Sequence, residues 1–150
     1  MKLFIDECLA PKTFKALAAL VAFDKEPVKI EHLLDRFRPG TRDDIWAAHL
    51  QAEPGWIAVT VDSGGVNDGV PAPIILPKCR ITGVFLARKL AQASGFEKAR
   101  VLLSVYDQLR TRVVPAPPGT RFKLLRRDGR PVLDEWPLGM RPQPPPGRLF

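Results

Sequence analysis

Met1-Lys2-Leu3-Phe4-Ile5-Asp6-Glu7 opens the chain with an apolar run that stops on an acid, and Trp56-Ile57-Ala58-Val59-Thr60-Val61-Asp62 repeats the pattern. A short unbroken apolar run fits a strand buried on both faces of a parallel sheet. In open α/β sheets ligands sit outside the carboxyl ends of the strands, so Asp6 and Asp62 point to one crevice. Between the two runs, Asp43-Asp44 falls on the first turn of an expected helix. Carboxylates gathered in one crevice repel each other unless a cation joins them. The first reading is a hard-metal site built from acids.

Outward from these runs, strands and helices alternate. Pro11 stands near the start of a helix over 13–21, with Phe14, Leu17, Ala18, Leu20 and Val21 on one face. Residues 28–33 alternate apolar and polar, as a strand nearer a sheet edge does. Arg38-Pro39-Gly40 breaks the chain, and Thr41 is expected to cap the helix that carries Asp43, Asp44, Ile45, Trp46, His49 and Leu50. Residues 56–61 form the third strand, and Ser63-Gly64-Gly65-Val66-Asn67-Asp68-Gly69 reads as a loop. Pro73-Ile74-Ile75-Leu76-Pro77 is short, apolar and fenced by prolines, so residues 81–86 make the more convincing fourth strand. The spacing predicts a long helix over 96–110, with Ala99, Leu102, Leu103, Tyr106 and Leu109 on one face. This alternation argues for an α/β sandwich with a mainly parallel sheet.

Composition bounds the function. A chain of 150 residues with 45% apolar content can bury a real core. Cys8 and Cys79 form no CxxC pair and no Cys/His cluster, which favours reduced thiols in a cytosolic protein. Lys2, Asp6 and Glu7 interrupt what would be the apolar region of a signal peptide, and no apolar stretch approaches the roughly 20 residues needed to span a bilayer. A cytoplasmic protein without a membrane role is expected. The net charge of +7 suits phosphate partners, and its location is uneven. After residue 112 there are seven Lys/Arg against three Asp/Glu, and nine of the sixteen prolines. The expected organisation is therefore a domain over 1–112 and a Pro-rich basic tail over 113–150. In that tail Asp128-Gly129 between apolar runs signals a β-hairpin. A hairpin would gather Arg121, Lys123, Arg126, Arg127 and Arg130 for phosphate contacts that weaken with salt. Arg42, beside the acidic pair, is a further candidate.

Each acid has an ordinary explanation. Asp43 or Asp44 can serve as favourable charge at a helix N-terminus, Asp6 as a cap, and Asp62 as a turn-former. Their joint placement favours Mg²⁺ or Mn²⁺, hard cations that take one or two carboxylates and keep waters. The expected ligands are Asp6, Asp44 and Asp62, with Asp68 as a further one, and Asp43 competes with Asp44 for the helix position. His32 and His49 lie on apolar-patterned segments and read as structural, as do Trp46 and Trp56.

Three motifs now carry a resemblance. Phe4-Ile5-Asp6-Glu7-Cys8-Leu9-Ala10-Pro11, Gly40-Thr41-Arg42-Asp43-Asp44-Ile45-Trp46 and Val59-Thr60-Val61-Asp62 resemble, in order and spacing, the PIN-like proteins, a branch of the PIN-domain ribonucleases. The resemblance covers residues 1–110 and implies a three-layer α/β/α sandwich, here with a C-terminal Pro-rich basic hairpin extension. It also implies a Mg²⁺- or Mn²⁺-dependent endoribonuclease, the toxin of a bacterial type II toxin–antitoxin pair. Asp6, Asp43, Asp44 and Asp62 would then be catalytic, holding metal and activating the attacking water. RNA would be the substrate, with an antitoxin protein as partner and a homodimer as a further assembly. The chain departs from the pattern at Ser63-Gly64-Gly65, where many relatives place another acid. That departure supports an alternative, a catalytically weak or inactive PIN-like module that binds nucleic acid or protein. A receiver-like phosphoacceptor reading leaves Asp43 and Asp44 idle and lacks a well-placed late lysine.

Overall fold

The computed structural model of the chain describes residues 1–61 and 69–139. Its centre is β1 (Lys2–Ile5), flanked in parallel by β2 (Lys29–His32) on one side and β3 (Trp56–Val61) on the other. Strand side chains alternate between faces, and the apolar run at the N-terminus uses both. Leu3 and Ile5 pack with Leu17 and Val21 of α1 (Pro11–Val21), whereas Phe4 packs with Trp46 and Leu50 of α2 (Asp43–Leu50). An apolar residue at every position of β1 is thus the consequence of helices on both faces.

β4 (Thr82–Leu86) adds in parallel to β3, preceded by α3 (Ala72–Lys78) and followed by α4 (Arg88–Ala91) and α5 (Gly95–Ser104). β5 (Arg121–Arg127) pairs in parallel with β4, and β6 (Arg130–Glu135) turns back antiparallel to β5. The sheet order is β2-β1-β3-β4-β5-β6. Helices α1 and α5 cover one face and α2 and α3 the other, giving the expected three-layer α/β/α architecture.

The hairpin in the basic tail forms where Asp128-Gly129 predicts it. Both residues have positive φ, 52° and 74°, as a tight two-residue hairpin turn requires. Its place differs from an appendage on a proline linker. Phe122, Leu124 and Leu133 belong to the core shared with α1 and α5, and Trp136 belongs to the core under α2 and α3. The change of composition at residue 113 therefore does not mark an edge of the sheet.

Three local expectations are corrected. The proline-fenced segment is helical, because Pro73 occupies the first turn, where backbone N–H groups have no partner anyway. The helix expected over 96–110 breaks at Val105 and resumes as α6 (Tyr106–Gln108) and a π-helical turn over Leu109–Val113. The Ser104 hydroxyl donates to the Val101 carbonyl at 2.6 Å, the kind of back-bond that bends a helix. Thr41 does not cap α2; its hydroxyl donates to the Arg38 carbonyl at 2.6 Å, and Arg42 takes the N-cap position.

Candidate metal centre

Asp6 follows β1 directly, and its N–H donates to the Val59 carbonyl of β3 at 3.1 Å. This bond extends the ladder one residue and fixes the carboxylate at the carboxyl edge of the sheet. The side chain is nearly buried and held at both oxygens. The Cys8 N–H donates to Oδ1 at 2.7 Å, and the Thr60 hydroxyl, from the penultimate residue of β3, donates to Oδ2. Burial raises the Asp6 pKa above its ordinary 3.8, hydrogen bonds from Cys8 and Thr60 pull it back, and the charge of Asp43 pushes it up again. Asp6 and Asp43 are therefore close enough to repel.

Asp43 stands at the first residue of α2 and is fixed in the same manner. Its Oδ1 accepts from the indole Nε1 of Trp46 at 3.1 Å, and its Oδ2 from the Ala72 N–H of α3 at 3.0 Å. Burial raises its pKa as well, with a further push from neighbouring Asp44. Asp44 faces another way. The guanidinium of Arg42 grips its two oxygens at 3.1 and 3.2 Å, and Gly69 packs so closely that a Cβ there would lie 3.1 Å from Asp44 Oδ2. With φ at +116°, that position suits glycine on two counts.

The structure thus brings Asp6 together with Asp43, and engages Asp44 and Arg42 with each other. Asp62 and Asp68 lie outside the described residues. Among the described residues, no group of three His, Cys, Asp or Glu side chains gathers to hold a metal ion. The pair that does gather fits a hard divalent cation on its chemistry. Two buried carboxyls, each oriented at both oxygens, are driven toward the neutral form by desolvation and repulsion, and a cation would reverse both effects.

Several supporting groups carry no signal of their own in the sequence. Thr60 and the Cys8 backbone orient Asp6, while Trp46, buried as expected, also donates to Asp43. Glu7 accepts from the Gly40 N–H at 2.6 Å and so tethers the turn that leads into α2. The Cys8 thiol is pushed well above its ordinary range by burial and then by the Asp6 charge, which makes it an inert neighbour. His32 is structural, as expected, with Nε2 against the Leu9 carbonyl at 2.8 Å and Nδ1 accepting from the Leu34 N–H at 3.1 Å.

The basic residues of the hairpin do not form one patch. Arg121, expected to meet RNA, is 4% exposed and donates to the carbonyls of Pro73, Trp136 and Pro137. Lys123 lies 4.4 Å from the centre of the Trp136 ring, on the same side of β5 as Arg121. Arg126 points to the other side, where it pairs with Glu97 of α5, and Arg127 pairs with Asp134 of β6. Alternation along a strand separates residues that the sequence brings near each other. Arg130, at the start of β6, is exposed.

Residues 1–64 match the family model described as a PIN like domain, a span that holds β1, α1, β2, α2 and β3 and both paired acids. No curated protein and no solved structure matches the chain. With that match, and with the parallel sheet that sets Asp6 beside Asp43, the chain is a member of the PIN-like domain family.

Proposed function

We propose that the protein is a Mg²⁺- or Mn²⁺-dependent endoribonuclease, acting as the toxin of a bacterial type II toxin–antitoxin pair. The PIN-like match makes a nuclease-type fold the starting point. The observation that carries the reading is the buried, mutually repelling pair Asp6 and Asp43 at the carboxyl edge of the sheet. Asp6 and Asp43 would hold the ion, with Asp62 as the third ligand on the sequence pattern and Asp44 held back by Arg42. When bound, such an ion lowers the pKa of water and offsets negative charge on the leaving oxygen of a phosphodiester.

The protein's own residues supply the positioning. Thr60 and the Cys8 N–H set the direction of the Asp6 oxygens, and Trp46 and the Ala72 N–H set those of Asp43. Groups that orient ligands in this way typically matter about 10- to 100-fold in metal affinity or activity. The excess of basic residues favours association with a polyanion. An antitoxin would be the protein partner that silences the activity.

Purified protein with Mg²⁺ or Mn²⁺ is expected to cut single-stranded RNA. Asp6→Asn and Asp43→Asn should abolish cutting, and Thr60→Val should lower it about 10- to 100-fold. Expression in a bacterial host should slow growth, and Asp6→Asn should relieve that effect. Intact RNA with either ion, together with growth unaffected by Asp6→Asn, would overturn the proposal in favour of a binding module.

A further inference from the structure

A cavity of about 340 Å³ opens where β4 and β5 end, lined by Ala87, Arg88, Lys89, Leu90, Leu125 and Arg126. Because β1, β3, β4 and β5 run parallel, this is the same edge of the sheet that carries Asp6. Three of the six lining residues are cations and none is an acid. Arg88 and Lys89 are exposed and make no ion pair among the described residues. Glu97 holds Arg126 from α5 and also binds Arg100. A second cavity, of about 160 Å³, shares Arg126 and adds Arg100, so the cationic surface continues toward α5. Leu90 and Leu125 give the larger cavity an apolar wall. Its volume lies at the lower end of the range of about 300 to 1,000 Å³ for small-molecule pockets, where a single nucleotide falls.

Position adds a second constraint. β4 lies two strands from β1, about 10 Å at a spacing of about 4.8 Å per strand. An RNA strand with one phosphodiester at the acids therefore reaches the cavity with a nearby nucleotide.

We propose that this cavity binds an internal nucleotide of an RNA strand, with its phosphate on Arg88 and Lys89 and its ribose or base against Leu90 and Leu125. The assignment rests on the ribonuclease reading of Asp6 and Asp43. It moves the main phosphate contacts away from the hairpin, since Arg121 is buried and Arg127 is paired within the hairpin.

The test uses a short fluorescein-labelled single-stranded RNA titrated in EDTA, so that it is bound and not cut, over a range of salt concentrations. Cleavage by the wild-type protein in Mn²⁺ is scored in parallel. Arg88→Ala with Lys89→Ala is expected to weaken binding about tenfold or more and to lower the salt slope by about 1.4, two phosphates at about 0.7 each. Arg88→Lys with Lys89→Arg keeps both charges and should retain most of the affinity, which separates lost contacts from lost folding. Unchanged affinity and slope in the alanine pair, with the wild type still cutting RNA, would overturn the cavity and leave the ribonuclease reading in place. Binding that depends on Arg88 and Lys89 without any cleavage would support the cavity and overturn the ribonuclease reading. A 5′-mononucleotide that binds as tightly as the strand would overturn the strand assignment in favour of a site for free nucleotides.

Discussion

At the scale of the residue, Asp6 is pulled in two directions. Burial and the Asp43 charge favour its neutral form, while Cys8 and Thr60 donate to its ionised form, and burial wins. Asp43 is shifted the same way. Both folded values lie above the ordinary 3.8, so the native protein binds these protons more tightly than the unfolded chain. Their contribution to stability is therefore present below 3.8 and lost as pH rises through the folded values. Without divalent ions, Asp6→Asn is expected to raise Tm at neutral pH, by about 2 to 4 °C for each kcal/mol relieved. The advantage should shrink toward acid, where wild-type Asp6 is already protonated. Scanning calorimetry across this range checks it, and a variant less stable than wild type at neutral pH would contradict it. Asp6 itself was legible from a strand that ends on an acid. The choice between Asp43 and Asp44 was not, because it depends on Trp46, the Ala72 N–H and Arg42, which converge only after folding.

At the scale of the element, α3 shows how a misleading local signal is resolved by a distant residue. Pro77 inside the helix has no N–H to give the Pro73 carbonyl four residues earlier. Arg121 of β5 supplies that missing donor at 3.2 Å, bonds the carbonyls of Trp136 and Pro137, and stacks 4.2 Å from the centre of the Trp136 ring. One buried guanidinium thus joins α3, β5 and the segment after β6. Arg121→Met is expected to cost about 2 to 4 kcal/mol, since it strands several buried carbonyls and removes charged hydrogen bonds. Urea denaturation checks this figure, with RNA affinity of the folded fraction little changed. A variant of wild-type stability with weakened RNA binding would restore the phosphate role that the sequence pattern suggested. From sequence, an arginine on a basic hairpin reads as surface; its burial follows from the pairing of β5 with β4, a long-range contact that no local pattern carries.

At the scale of the whole molecule, the fold follows from a few strong signals. Unbroken apolar strands at 1–5 and 56–61, with amphipathic helices between, required helices on both faces of a parallel sheet, and the sheet places Asp6 and the N-terminus of α2 together. The same topology sets the cationic cavity of Arg88 and Lys89 on the same edge as the acids. No helix among the described residues is long and apolar enough to cross a membrane. The claim on which the rest depends is that Asp6 and Asp43 hold a divalent cation and Asp44 does not. Calorimetric titration of Mn²⁺ into wild-type protein, Asp6→Asn, Asp43→Asn and Asp44→Asn tests it most directly. Saturable binding that disappears in Asp6→Asn and Asp43→Asn and persists in Asp44→Asn is the predicted result. No binding to the wild type, or binding lost in Asp44→Asn and kept in Asp43→Asn, would contradict it.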